Sequence, residues 1–93
     1  MDIEFYIDAD TGEPHIARHG VEKWEAIDVL ENADASYNGR GGTLVAIGQT
    51  RNGRYLRVIY RRLDAGGGCR IITAFDLSAN AKRSLRRKRR RRP

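Results

Sequence analysis

Several things are scarce in this chain of 93 residues, and each absence removes a class of protein. There is one cysteine, Cys69, so no disulfide can close within the chain, and the expectation is a protein of a reducing compartment. No apolar run approaches the ~20 residues that cross a bilayer. The acidic start, MDIEFYIDAD, is unlike a secretory signal. Together these point to a soluble, cytoplasmic protein with no membrane partner. Cations are scarce in the first 39 positions, where Arg18 and Lys23 face ten carboxylates for a net charge of −8. Carboxylates are scarce after that: Asp64 and Asp76 face sixteen cations, a net of +14. The overall +6 therefore conceals an acidic half joined to a very basic one. A fold that presents the second half favours polyanions as partners, with the acidic half expected on the far side of the domain.

At 40% apolar residues the chain has material for one core and is too short for two. Ile3, Phe5 and Ile7 alternate with polar neighbours, which predicts a half-buried strand over 1–7. Pro14 near a helix start and Gly20 as a left-handed stop predict a short helix over 13–19. A second helix over 22–31 would place Trp24, Ile27 and Leu30 in one buried stripe, Ala26 and Val29 at its margins, and Glu25 and Asp28 in water. The runs 43–50 and 55–62 flank Arg51-Asn52-Gly53-Arg54, and Asn-Gly is the strongest short signal for a tight hairpin. A third strand-like run, 69–75, completes a meander after the glycine-rich linker 64–68. Ser78 is placed to cap a last helix that docks through Leu77, Ala81 and Leu85. Beyond Leu85 the sequence RRKRRRR buries nothing, which sets a domain of 1–85 and a basic, mobile tail of 86–93. The expected fold class is thus α+β: β-α-α-β-β-β-α, with an antiparallel sheet packed on helices.

Chemistry is concentrated in the sheet arginines. If Leu56, Val58 and Tyr60 turn towards the helices, Tyr55, Arg57 and Arg61 stand on the opposite face, with Arg70 nearby on the next strand. Guanidinium groups with an aromatic among them suit phosphate contact and base stacking on single-stranded RNA. Arg54, Tyr55, Arg62, Lys82, Arg83, Arg86 and Arg87 extend this candidate nucleic-acid surface, and ordinary solvated strand positions are the plainer alternative. The sequence shows neither a metal cage nor a nucleophile triad, but RNA brings its own nucleophile in the ribose 2′-hydroxyl. A protein need only align it, stabilise the crowded phosphate and move two protons. Arg57, Arg61 and Arg70 are candidates for the phosphate; His19 and Tyr60 lead the candidates for the protons, with Tyr55, Lys82 and Asp76 behind them. His15 and His19 stand four apart, a spacing that suits a shared metal, yet no ordered third ligand accompanies them, so no metal or other cofactor is expected. Cys69 reads as a small buried strand residue.

The order of the segments resembles the BrnT-like toxins of bacterial type II toxin–antitoxin systems, whose fold is similar to that of the RelE/ParE toxins. The resemblance runs from about Phe5 to Arg83. It is carried by Phe5-Tyr6-Ile7-Asp8, Arg18-His19-Gly20-Val21, Glu25-Ala26, Val29-Leu30, Ile47-Gly48, Gly53-Arg54-Tyr55-Leu56, Val58-Ile59-Tyr60 and Arg70-Ile71-Ile72-Thr73-Ala74. It implies cleavage of messenger RNA that halts translation, and a small cognate antitoxin that wraps the basic face. A homodimer and a toxin–antitoxin hetero-oligomer are both compatible with it. Arg70 falls on the first arginine of the family pattern R-I-I-S-A-R, and Arg61 or Arg62 on an arginine after the family's V-V-Y strand. Phe75 stands where that pattern closes on arginine, so the chain either uses Arg57 or a tail residue instead or binds without cutting. The alternatives to a toxin ribonuclease are a noncatalytic RNA- or DNA-binding module and a ParE-like toxin with another target.

Overall fold

The computed structural model describes residues 2–63 and 66–90, without the side chains of 89 and 90. Alternation along β4 (Tyr55–Arg62) sets the architecture. Leu56 and Val58 are fully buried and Tyr60 packs at their margin, and on β5 (Cys69–Asp76) Ile71 and Ala74 join them. Against this face lie α1 (Lys23–Glu31), which supplies Ala26 and Val29, and a single 3-10 turn (His15–His19), which supplies Ile16, with Val21 between them. Burying side chains of this size stabilises the fold by about 1.5–3 kcal/mol each, so this cluster is the core.

The sheet has five strands in the order β1-β5-β4-β3-β2, where β1 is Ile3–Phe5, β2 is Ala35–Asn38 and β3 is Leu44–Gln49. The hairpin and meander over β3, β4 and β5 are antiparallel, as expected. Two features depart from expectation. First, β1 runs parallel to β5, with Ile3 opposite Cys69 and Phe5 opposite Ile71, so the sheet is mixed and not purely antiparallel. The approach is close: a Cβ on Gly68 would stand 2.8 Å from the Asp2 carbonyl oxygen, and only glycine lets the Cys69 N–H reach that oxygen at 2.9 Å. Second, β2 is an additional strand. Its sequence, Ala-Ser-Tyr-Asn, has no apolar alternation, and it forms because an edge position needs only one ladder, here the antiparallel pairing of Ala35 with Ile47 through Asn38 with Leu44.

The buried face of α1 is rotated relative to the predicted stripe. Ala26 and Val29 face the core and Glu25 is 4% exposed, whereas Trp24 is 38% exposed. Glu25 is stable there because its carboxylate accepts the Glu22 backbone N–H (3.0 Å) and an Arg54 guanidinium N–H (3.0 Å). Trp24 lies outside, its indole donating to Glu22 (2.8 Å) and the Arg51 guanidinium over its ring. Asp28 likewise accepts the Arg51 backbone N–H at 2.7 Å instead of facing water. The α2 helix (Ala79–Arg90) begins as expected, with the Ser78 hydroxyl accepting the Ala81 N–H at 3.1 Å. Leu77 and Leu85 then close on Tyr55, with Ala81 and Ile47 beside them, on the sheet face opposite α1. The first part of the basic segment expected as a tail continues this helix to Arg90; positions 91–93 lie outside the described residues. Among the described residues no helix is long and apolar enough to cross a membrane.

Arg54, at the end of the hairpin turn, ties these parts together. Its Nε and Nη2 donate to the Asp76 carboxylate at 2.8 and 3.1 Å, Nη1 to the Gly20 carbonyl at 2.8 Å and to Glu25, and Nη2 to the His19 carbonyl at 3.4 Å. All five N–H donors of the guanidinium are used. Gly20, in the left-handed conformation that ends the 3-10 turn, turns its carbonyl to this group.

Replacing Arg54 by methionine leaves Glu25 buried without its cation and is expected to destabilise the fold by about 2–4 kcal/mol in urea denaturation. The exposed Arg70–Glu4 pair should lose less than about 1 kcal/mol in the same test. Arg54 holds the Asp76 carboxyl below its usual range, and Arg18, with His15, does the same for Asp8. A carboxyl whose folded-state pKa is lowered stabilises the fold above its unfolded value of about 3.9, and that contribution is lost as pH falls through the lowered value. The urea midpoint should therefore fall on acidification below about pH 4, and Asp76→Asn should flatten that fall.

Candidate nucleic-acid interface

The sheet face opposite the core carries several of the cations that have no carboxylate partner among the described residues. Strand register arranges it in rows. One row runs Ala35, Ile47, Arg57, Phe75 across β2 to β5; the next runs Tyr37, Val45, Ile59, Thr73. A bulge at Ile59/Tyr60 restores the alternation so that Arg61 and Arg70 stand opposite each other, with Glu4 of β1 beyond them. The α2 helix covers the Tyr55 end of this face, and the remainder opens into a cleft of about 550 Å³. Its lining includes Tyr37, Arg40, Thr43, Val45, Arg57 and Ile59.

Carboxylates neutralise several of the arginines. Arg51 pairs with Asp28, Arg54 with Glu25 and Asp76, Arg70 with Glu4, and Arg18 with Asp8 and Asp10. The acidic half is therefore not simply the far side of the domain: Glu4, Glu25 and Asp28 reach into the basic half. Among the described residues no carboxylate pairs with Arg40, Arg57 or Arg61. The Arg61 guanidinium lies along the Arg40–Gly42 turn, where a Cβ on Gly42, at φ +79°, would come within 3.3 Å of Nη1. Arg57 is partly buried, and its Nε has no hydrogen-bond partner among the described residues; the Thr73 hydroxyl on the same face has none either. Both atoms are buried, so what Arg57 offers an external acceptor is the exposed part of its side chain, which lines the cleft.

Of the residues expected to act on phosphate, Arg57 and Arg61 share this face, and Arg70 shares it while bound to Glu4 at 3.0 and 3.1 Å. His19 sits beyond the β5 edge with its ring 5.9 Å from that of Phe75, at the end of the Arg57 row. It belongs to a line of rings, Tyr6, His15, His19 and Phe75, each about 6 Å from the next. Tyr60 is on the other face, packed at the core beside Leu30 and Arg62, and does not meet Arg57. Arg62 is exposed on that same side. Arg54 is wholly engaged inside the fold. Tyr55 is under α2, with Lys82 and Arg86 within 6 Å of its ring, so its faces are taken by the protein. Arg83 bonds Asn80, and Arg86 and Arg87 are exposed on α2. Asp76, the candidate base, is held ionised by Arg54. Cys69 is buried, and that burial pushes its thiol pKa up, which suits a core residue and not a nucleophile.

The chain also contains site residues that sequence reasoning missed. Tyr37 is 44% exposed at the cleft, and only its place on an unforeseen strand puts it there. Arg40 borders the same cleft; the Arg-Gly-Gly it begins is faintly similar to RNA-binding RGG segments, and one copy is a weak signal that a glycine-rich loop before a strand explains equally. His15 bonds the buried Asp8 carboxylate through Nδ1 at 3.1 Å, with Arg18 on the other side at 2.6 Å. Among the described residues no three His, Cys, Asp or Glu side chains converge to hold a metal ion.

Comparison of the chain with family models, with curated proteins and with solved structures gives no match. Fluorescence anisotropy of a single-stranded RNA against salt should show Arg57→Ala lowering the log–log slope by about 0.7, one phosphate contact. Arg62→Ala, on the opposite face, should leave the slope unchanged.

Proposed function

We propose that this chain is a BrnT-like toxin, a metal-independent endoribonuclease that cuts messenger RNA and is opposed by a small antitoxin covering the same basic face. The observation that carries the reading is Arg57, which lines an open cleft with Arg40 and has no carboxylate partner among the described residues. The 2′-hydroxyl of bound RNA attacks the adjacent phosphorus, and the 5′-oxygen of the next nucleotide leaves, giving a 2′,3′-cyclic phosphate. Arg57 supplies positive charge to the phosphate as it becomes five-coordinate, with Arg61 and Arg40 alongside. Phe75 replaces the arginine that the family resemblance would put on β5, and Arg57 is its direct cross-strand neighbour, so the guanidinium is supplied from the adjacent strand. His19, at the end of the same row, is the proton mover in this scheme; Tyr60 has no part in it. Arg70 is a secondary contact that must leave Glu4 to reach phosphate. The surface pair it would leave is worth at most about 1 kcal/mol.

One observation favours a second reading, a noncatalytic RNA-binding module: the His19 ring is flanked by the rings of His15 and Phe75. The two are separated by incubating the chain with a defined single-stranded RNA in EDTA, without ribosomes. A ribonuclease gives cyclic phosphate ends, loses about 10²–10³-fold in rate with Arg57→Ala and about 10²–10⁴-fold with His19→Ala, and loses under tenfold with Arg70→Ala. RNA that is retained but intact assigns the chain to the binding module.

A further inference from the structure

The cleft beside Arg57 has a construction beyond that of a general basic surface. Its floor is apolar, formed by Val45 and Ile59, and Tyr37 stands in the same row with 44% of its surface exposed. One wall is the turn Gly39–Thr43, braced from within: the Gly39 N–H donates to the Thr43 carbonyl at 2.8 Å, and the Thr43 N–H and hydroxyl both reach the Arg40 carbonyl, at 3.1 and 2.6 Å. A wall held in this way needs little ordering when a ligand enters. Arg57 stands on the other side of the floor, with Arg40 on the turn. At about 550 Å³ the cleft is within the usual 300–1,000 Å³ of small-ligand sites.

An exposed aromatic beside an apolar floor takes a planar ring. Guanidinium groups at its border, without carboxylate partners among the described residues, take an anion. Only a ligand with both, joined at a fixed short separation, uses the whole cleft, and one nucleotide of a single strand is such a ligand. We propose that this cleft is a subsite for one nucleotide of single-stranded RNA, with the base stacked on Tyr37 and its phosphate bound by Arg57 and Arg40. Tyr37 therefore selects for a base-bearing single strand, whereas the cations of α2 act on any polyanion. The base of a paired duplex is already stacked and cannot enter, so double-stranded RNA loses this contact. The assignment rests on the RNA-binding reading above but not on cleavage.

The test uses the full chain and strands that cannot be cut. Anisotropy is measured with a 2′-O-methyl oligoribonucleotide and with an abasic 2′-O-methyl strand of the same length, for the unmodified chain, Tyr37→Ala and Tyr37→Phe. Tyr37→Ala is expected to weaken the base-bearing strand about 5- to 150-fold and the abasic strand less than twofold, with Tyr37→Phe within about threefold of the unmodified chain. Equal weakening of both strands, or of neither, overturns the subsite. If neither strand binds the unmodified chain at all, the RNA-binding reading itself falls. If the expected pattern appears while RNA stays intact in the cleavage assay, the subsite stands and only the ribonuclease reading fails. Edge exposure makes Tyr37→Ala a mild change for the fold, and matching far-UV spectra with Tyr37→Phe verify that.

Discussion

The five hydrogen bonds of Arg54 are the constraint on which the remaining structure depends. One guanidinium joins the hairpin turn, the end of β5, the end of the 3-10 turn and the first turn of α1. It fixes the rotation of α1 by admitting Glu25 to the interior, and that rotation sends Trp24 outward and Ala26 and Val29 inward. It also pulls His19 to the β5 edge, since the His19 and Gly20 carbonyls are both its acceptors. The position of the histidine beside Phe75 thus follows from an arginine whose guanidinium N–H groups are all engaged within the fold.

This interaction also explains how a chain with charge sorted along its length becomes a domain with charge sorted by face. Four carboxylates, Glu4, Glu25, Asp28 and Asp76, neutralise Arg70, Arg54 and Arg51. Of what they leave over, Arg40 and Arg57 line one cleft, Arg61 lies along the turn that walls it and α2 packs on the same side of the sheet, whereas Arg62 is exposed on the other. The irregularity opposite Ile59/Tyr60 matters here, because Ile72 of β5 is skipped, which keeps Ile71 in the core and brings Arg70 to the face of Arg57 and Arg61. The proposed RNA contacts draw on this partition, since a phosphate meets cations that have no partner among the described residues more readily than those that do.

Much of the fold was legible in the sequence because periodicity and turn chemistry are local. The Asn52-Gly53 hairpin, the strands over β3, β4 and β5, the Gly20 stop and the Ser78 cap all have short-range causes. Parallel pairing of β1 with β5 and the existence of β2 depend on partners far along the chain, and no local pattern encodes them. Glu25 misled the reading of α1 because a carboxylate counts as solvent-facing until its buried cation, 29 residues away, is known. For the site, the face of Arg57 and Arg61 was correctly separated from that of Leu56 and Val58. Composition alone could not say which arginines are engaged, so Arg54 and Tyr55 were placed outside when the fold draws both inward. Tyr37 and Arg40 went unrecognised because the strand and turn that bring them to the cleft are themselves tertiary.

The most direct measurement is an NMR titration that observes arginine Nε–Hε signals while a single-stranded RNA oligomer is added to the full chain. The account predicts that the Arg57 signal shifts early and strongly, with Arg40 and Arg61 following, while the Arg54 signal stays in place throughout. Movement of Arg54 in step with the RNA, or shifts confined to the arginines of α2 with Arg57 unmoved, would contradict it.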